Sequence, residues 1–405
     1  MERRSFLLGG AALTTSLGLA GRLAHAQGNL PGIDESSKTV TIGAFTPITG
    51  PVPFYTLLTH GADACFRWAE QTNQLDGWKI KYITYDDGYD PARSVAVTKR
   101  LVEEDNIFAL VTPVGTPTTV ATVPYAKSIG LPIIGPLGGS PEFYSEPLVF
   151  TLFPDYGWSA GASAQYALEG LGAKRIGFLW ENDEVGRSAK RGFDTYMESK
   201  SLKPVASLSF EVKSTDFAPQ IRQLIKEKAD VVIMFGANSN LALALKSAKL
   251  LNFDANWIAP FFNADPSTRK LAGNALNGVK FSSWLLPVTS ENERIKIYRE
   301  ASKAYYPKDP FGIFGLNGWT NAELFVVGMR ILLESGNSLT RENFIRAMNS
   351  IRDVDIGGTE KVTFKLGDHR GTRQECIIEA MPSGEFEMVR NFEPYPKVVF
   401  DQKLV

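Results

Sequence analysis

From Lys38 onward the chain switches repeatedly between the two-residue alternation of strands and the 3.6-residue spacing of helices, which restricts it to an α/β fold with parallel sheets. Residues 39–45 form a β-rich run. Residues 61–72 are helical, with Ala62, Phe66 and Ala69 on one face. Residues 78–85 alternate as a strand, and Pro91 opens a helix to Glu104 with Val95 and Val102 inward. A short apolar strand at 107–111, a helix at 118–129 closed by Gly130, and a strand at 131–134 follow. The rhythm restarts after Pro154: helix 157–170, strand 175–180, helix 186–199, strand 205–210. Helix 216–228 presents Phe217, Ile221, Leu224 and Ile225 as its inward stripe, ahead of strand 230–235, helix 240–251 and strand 257–259. Two α/β lobes in series are expected. Three further helices at 291–305, 320–334 and 341–351 lead to hairpin-like segments at 361–365 and 375–380 and a Pro-containing extension.

The first 26 residues have a different character. Arg3 and Arg4 precede an uncharged, mostly apolar run over 6–21, and Ala24-His25-Ala26 offers small residues at the two positions a signal peptidase inspects. The run is too short and too rich in Gly, Ala and Thr for a membrane span, which needs about 20 strongly apolar residues. Residues 1–26 therefore read as an export signal, 27–37 as a linker, and the mature protein as periplasmic. The arginine pair before Ser5-Phe6-Leu7 resembles a twin-arginine signal, whereas Glu2 and Leu8 depart from that pattern and leave the general secretory route open. Lys+Arg 43 against Asp+Glu 44 gives a net charge of -1, which offers no basic excess for nucleic acid or acidic lipid. The two cysteines, Cys65 in a helical pattern and Cys376 in a strand pattern, fit small buried hydrophobes; two are too few for a disulfide framework.

Enzyme constellations are missing. After signal removal only His60 and His369 remain, poor material for a metal site or a His-assisted nucleophile. No His-Glu-x-x-His, Cys-x-x-Cys, Gly-x-Ser-x-Gly or phosphate-loop motif occurs, and no cofactor is expected. The acidic clusters Asp86-Asp87 and 181–184 follow strands and read as helix caps. Gly, Thr, Pro and aromatic residues instead concentrate in six loops after strands, 46–55, 113–119, 136–140, 181–186, 236–240 and 260–265. In an open α/β sheet such ends bind ligands.

With these loops in place, the chain resembles the periplasmic binding proteins of the branched-chain amino acid type that serve ABC importers. The likeness is carried by Ile42-Gly43-Ala44-Phe45 through Thr49-Gly50-Pro51, the turn from Tyr85-Asp86-Asp87 to Pro91, and Gly130-Leu131-Pro132-Ile133-Ile134. Ala173-Lys174-Arg175-Ile176 and Asp216-Phe217 ahead of Ala229-Asp230-Val231-Val232 complete it, so that it covers nearly all of 38–381. The resemblance implies two Rossmann-like lobes joined by three crossovers and closing on a ligand like a hinge. Lobe one would hold 38–155 and 285–351, lobe two 156–284 and part of 352–405. It also implies a monomer whose partners are a small-molecule ligand and the membrane subunits of an ABC permease.

Family members that bind amino acids hold the carboxylate at lobe one and the ammonium on an acidic residue of lobe two. Carried over by that resemblance, Tyr55 is an aromatic ligand contact, Gly115, Thr116 and Thr118 form the third loop, and Leu137, Gly138 and Gly139 the fourth. Val185 and Ala237, with Asn238 beside it, stand where stacking tyrosines are frequent, and Phe261-Phe262 takes the place of the acid. An ammonium buried without a counter-charge costs several kcal/mol. The implied pocket thus suits a small carboxylate with an apolar or aromatic body, one of the two phenylalanines packing inward and one facing the cleft. Asp183 or Glu184 offers a substitute anion, which keeps amino acids as the alternative. A ligand-sensing receptor domain and an exported hydrolase are the other classes; the first is disfavoured because no DNA-binding head stands before Lys38 and no membrane span follows the fold, the second by the shortage of histidine.

Overall fold

A computed structural model describes residues 30–50 and 53–401; the expected signal at 1–26 lies outside the described residues. Two sheets form. In the first, strand Thr39–Thr46 pairs in parallel with Lys79–Asp86 on one side and Leu110–Val111 on the other, followed by Ile133–Ile134 and Val149–Phe150. In the second, Ala206–Phe210, Ile176–Glu181, Val231–Phe235, Asn256–Pro260 and Lys280–Ser283 lie side by side in parallel, and the antiparallel strands Gln374–Ala380 and Phe386–Pro394 complete the edge. Every residue of Val231–Phe235 is buried, because helices cover both faces of a parallel sheet. The chain crosses between the sheets three times, at 151–155, 284–292 and 350–373.

Each sheet has a switch point, a place where successive connections leave in opposite directions and their loops part to open a crevice. In the first sheet it lies between Thr39–Thr46 and Leu110–Val111. In the second it lies between Ile176–Glu181 and Val231–Phe235. Four of the six loops flank these two points.

Helix starts differ most from the sequence reading. Helix Thr56–Gln71 begins five residues before the expected 61, and Ile313–Glu334 seven before the expected 320. Glycines interrupt the apolar pattern in both, and the fold shows what they do. A Cβ on Gly61 would lie 1.9 Å from the Gly315 carbonyl oxygen, and one on Gly318 would lie 1.7 Å from that of Leu58. The two helices cross in near backbone contact, so the glycines belong to the interface.

Other corrections concern faces and ends. Ser94, Thr98 and Leu101, rather than Val95 and Val102, are the fully buried positions of helix Pro91–Glu103, which Asp90 caps through the Arg93 N–H. Phe217, Ile221 and Leu224 are buried while Ile225 is exposed. The helix expected over 157–170 ends in a π turn at Tyr166–Gly170. The 27–37 linker contains an edge strand, Ile33–Asp34, antiparallel to Thr39 and Val40. Residues 361–365 form only isolated bridges; the true hairpin is Gln374–Ala380 with Phe386–Pro394. Cys65 and Cys376 are both buried and unpaired.

Candidate ligand-binding cleft

The lobe-one side is assembled from strand ends. The Asp86 carboxylate accepts the N–H groups of Ile48 and Thr49 at 2.9 and 3.0 Å and the Thr49 hydroxyl, which fixes the loop leading to Tyr55. The Tyr55 ring lies 5.5 Å from Phe314 and 6.2 Å from Tyr89. Burial pushes its hydroxyl pKa up to about 12, with Glu181 and Asp183 of the other lobe adding to the rise. Two carboxylates of lobe two thus sit within electrostatic reach of a lobe-one tyrosine.

The third and fourth loops fit together closely. Gly115 has φ +106°, and a Cβ there would meet the Thr118 hydroxyl oxygen at 2.5 Å and the Tyr89 ring at 2.7 Å. A Cβ on Gly138 would stand 2.6 Å from the Thr116 hydroxyl oxygen, and one on Gly139 2.6 Å from the Pro154 carbonyl. Leu137 N–H donates to Pro113 and Gly115 N–H to Leu137, which clamps the two loops side by side. Helix Thr116–Ser128 starts here without a side-chain cap, and among the described residues the N–H groups of Thr116 and Thr118 have no acceptor. Uncapped amides at a helix start attract an anion. The Thr118 hydroxyl, expected as a ligand donor, gives its hydrogen to the Val114 carbonyl at 2.7 Å. Only its amide remains available. The Thr116 hydroxyl has a single long contact, 3.4 Å to the Tyr156 hydroxyl.

In lobe two, Glu181 spans the switch point. Its Oε2 accepts the Ala237 N–H at 2.8 Å, joining the two flanking loops. Burial raises its pKa to about 7 against the pull of that amide. Asp183 caps helix Glu184–Ser199 through the Gly186 N–H at 3.0 Å, and burial raises its pKa too. Glu184, offered as a substitute anion, is exposed and pairs with Arg191 and Arg187 at 3.1 and 3.7 Å, so its charge is already matched outside the cleft. Val185 and Ala237 are half-buried. The Asn238 amide group is spent on the Thr268 hydroxyl at 2.6 Å and the Phe262 carbonyl at 3.1 Å.

Phe261 and Phe262 separate. Phe261 is buried against Phe153 and Trp284, which lie at or next to two of the crossovers. Phe262 is half-buried, 6.4 Å from Tyr156, and packs on the lobe-one cluster of Leu58, Val114, Leu137 and Phe314. The cleft wall therefore carries Phe262, not Phe261. Tyr89, Tyr156 and Phe314 also brace the site and lie outside the six expected loops, and Glu181, which reads in the sequence as part of a capping cluster, instead accepts the Ala237 N–H. Phe314 was hidden by placing the start of its helix too late. Tyr156 had a signal, an aromatic residue just past the strand end at which the chain changes lobe. Among the described residues no group of three His, Cys, Asp or Glu side chains could hold a metal.

Comparisons with known proteins agree with this architecture. The model of the family described as "Periplasmic binding protein" matches residues 39–383. The leucine-, isoleucine-, valine-, threonine- and alanine-binding protein of Pseudomonas aeruginosa is 24% identical over 298 residues, 73% of this chain and 79% of the relative. Among solved structures, the fatty acid ABC transporter substrate-binding protein of Thermomonospora curvata superposes with a TM-score of 0.79 at 20% identity, covering 93% of this chain and 97% of the other. A solute-binding protein of an ABC transporter from R. palustris, in complex with benzoate, gives 0.73 at 18% identity, covering 86% and 95%. The chain belongs to the periplasmic binding proteins, of the branched-chain amino acid transporter type with two parallel-sheet lobes, and is a solute-binding protein rather than an enzyme.

Proposed function

We propose that the chain is the periplasmic substrate-binding component of an ABC importer, that it closes by a hinge on a small carboxylate with an apolar or aromatic body, and that it hands this solute to a membrane permease. In this reading the moving bodies are 38–155 with 285–351 and 156–284 with part of 352–405, export runs through the 1–26 signal, and the protein works as a monomer. The observation that carries the ligand class is the contrast between the two ends of the cleft. The unpaired amides of Thr116 and Thr118 suit a carboxylate, and each hydrogen bond to a charged group contributes about 1.5–3 kcal/mol. The opposite wall presents Phe262 where an ammonium would need an acid, and an apolar body there gains roughly 25 cal/mol per Å² buried. The R. palustris protein in complex with benzoate, and the T. curvata protein named for fatty acid transport, share this fold and support the reading.

A second reading has its own observation. Asp183 lies within electrostatic reach of Tyr55, Tyr89 and Tyr156, and no cation compensates its burial fully. An α-amino acid whose ammonium meets Asp183 fits that arrangement, in line with the amino acids named for the Pseudomonas relative. Calorimetric titration of matched pairs separates the two: phenylalanine against 3-phenylpropanoate, leucine against 4-methylpentanoate. Tighter binding of the deaminated member supports the carboxylate reading. Tighter binding of both amino acids rejects it in favour of Asp183.

A further inference from the structure

Tyr156 is the first residue after the 151–155 crossover and opens helix Tyr156–Gln165. Asp155 caps that helix through the Gly157 N–H at 2.7 Å. The helix start is seated in lobe two: a Cβ on Gly192, in helix Glu184–Ser199, would lie 2.0 Å from the Gly157 carbonyl oxygen. The Tyr156 ring is held edge-on by Phe153 at 5.7 Å and Phe262 at 6.4 Å. From there its hydroxyl reaches lobe one and meets the Thr116 hydroxyl at 3.4 Å, beyond the ~2.8 Å usual between hydroxyls. Both side chains are more than nine-tenths buried, and among the described residues neither hydroxyl makes another hydrogen bond. Burial, with Tyr55 and Asp183 adding to it, pushes the Tyr156 pKa up, so the hydroxyl keeps its proton and can donate.

Thr116 also carries one of the two open amides at the start of helix Thr116–Ser128, so the Tyr156 hydroxyl ends beside that anion-attracting helix start. Four donors gather there: the amides of Thr116 and Thr118 and the hydroxyls of Thr116 and Tyr156. An ionised carboxylate offers about four acceptor positions. We propose that Tyr156 is the lobe-two specificity residue for the solute's carboxylate: its hydroxyl donates to the group that the Thr116 and Thr118 amides hold from lobe one, so that a single ligand group ties the two lobes together. A carboxylate there replaces one long hydroxyl contact by charge-assisted bonds, which are shorter and roughly twice as strong as neutral ones. A solute without that charge gains less from the same donors. The proposal rests on reading the start of helix Thr116–Ser128 as the carboxylate end of the cleft. It holds for a deaminated acid and an amino acid alike, since both carry the group.

Calorimetry with 3-phenylpropanoate and its neutral counterpart 3-phenylpropanamide tests the proposal. Tyr156→Phe keeps the ring against Phe153 and Phe262 and removes only the hydroxyl. The variant's affinity for 3-phenylpropanoate should fall about tenfold or more. Its preference for the acid over the amide should fall about fivefold, because a hydroxyl bond to a charged oxygen is worth more than one to a neutral oxygen. An unchanged affinity for the acid, or equal losses for acid and amide, overturns the proposal, since the tyrosine would then only shape the wall. Either of those results leaves the carboxylate reading standing as long as the wild type prefers the acid to the amide. A wild type without that preference rejects the carboxylate reading and the proposal with it. Where phenylalanine binds more tightly than 3-phenylpropanoate, phenylalanine and phenylalaninamide take the place of the acid and the amide, and the same ratio is read.

Discussion

Single residues set the chemistry of the cleft and of its support. Phe262 occupies the wall position at which the carboxylate reading needs an uncharged surface. Phe262→Glu should shift the preference of each matched pair toward the amino acid, by about tenfold or more in the ratio of dissociation constants, since a counter-charge for a buried ammonium is worth at least 1.4 kcal/mol. Phe261→Glu should instead lower stability, because Phe261 packs against Phe153 and Trp284. A titratable residue lies away from the cleft. Glu375 is buried, its Oε1 accepts the Ser159 hydroxyl, and burial raises its pKa to about 8 in spite of Ser159 and Tyr395. A carboxyl whose folded-state pKa is raised stabilises the fold below its ordinary range near 4.5 and loses that contribution as pH climbs to about 8. The thermal midpoint should therefore fall between pH 5 and 8, and Glu375→Gln should flatten the slope. An identical slope in the variant would place the pH dependence elsewhere.

At the scale of elements, the central strands of both sheets were legible, while the short or outer strands Ile33–Asp34, Val149–Phe150, Lys280–Ser283 and Phe386–Pro394 and the helix starts were not. Val231–Phe235 is a continuous apolar run because both faces of its sheet are covered, and it was legible for that reason. Ile313–Glu334 was cut short because Gly315, Asn317 and Gly318 dilute its apolar period, although the backbone at Gly315 and Gly318 is what the neighbouring helix approaches. Gly318→Ala tests this. A methyl 1.7 Å from the Leu58 carbonyl oxygen must force the two helices apart, and overpacking of this kind costs about 1–3 kcal/mol. Chemical denaturation should show the loss, with ligand preference unchanged if the cleft keeps its shape. Within the cleft the same logic explains the glycines of the fourth loop. Gly138 and Gly139, carried over by resemblance as the fourth loop, leave room for Thr116 and for the Pro154 carbonyl.

For the whole molecule, three crossings between two sheets make a hinge, and the solute reading requires the hinge to work. Small-angle scattering should give a smaller radius of gyration with the preferred carboxylate than without it. The ligand should be recovered unchanged, and turnover by the pure protein would reject the binding role. Export belongs to this scale too. If the twin-arginine route is used, replacing Arg3 and Arg4 by Lys should hold the precursor in the cytoplasm; normal export of that variant would leave the general secretory route.

The sequence by itself determined the α/β class, the alternation of strands and helices through both lobes, the six strand-end loops and the family, because these depend on local periodicity and on residues close together in the chain. It did not determine which phenylalanine faces the cleft, that Thr118 spends its hydroxyl on Val114, or that Glu184 is matched by arginines while Asp183 stays near the tyrosines. Each of these depends on which groups distant in sequence compete for the same volume, the same hydrogen or the same solvent. Only the packed tertiary structure brings those competitors together and decides between them.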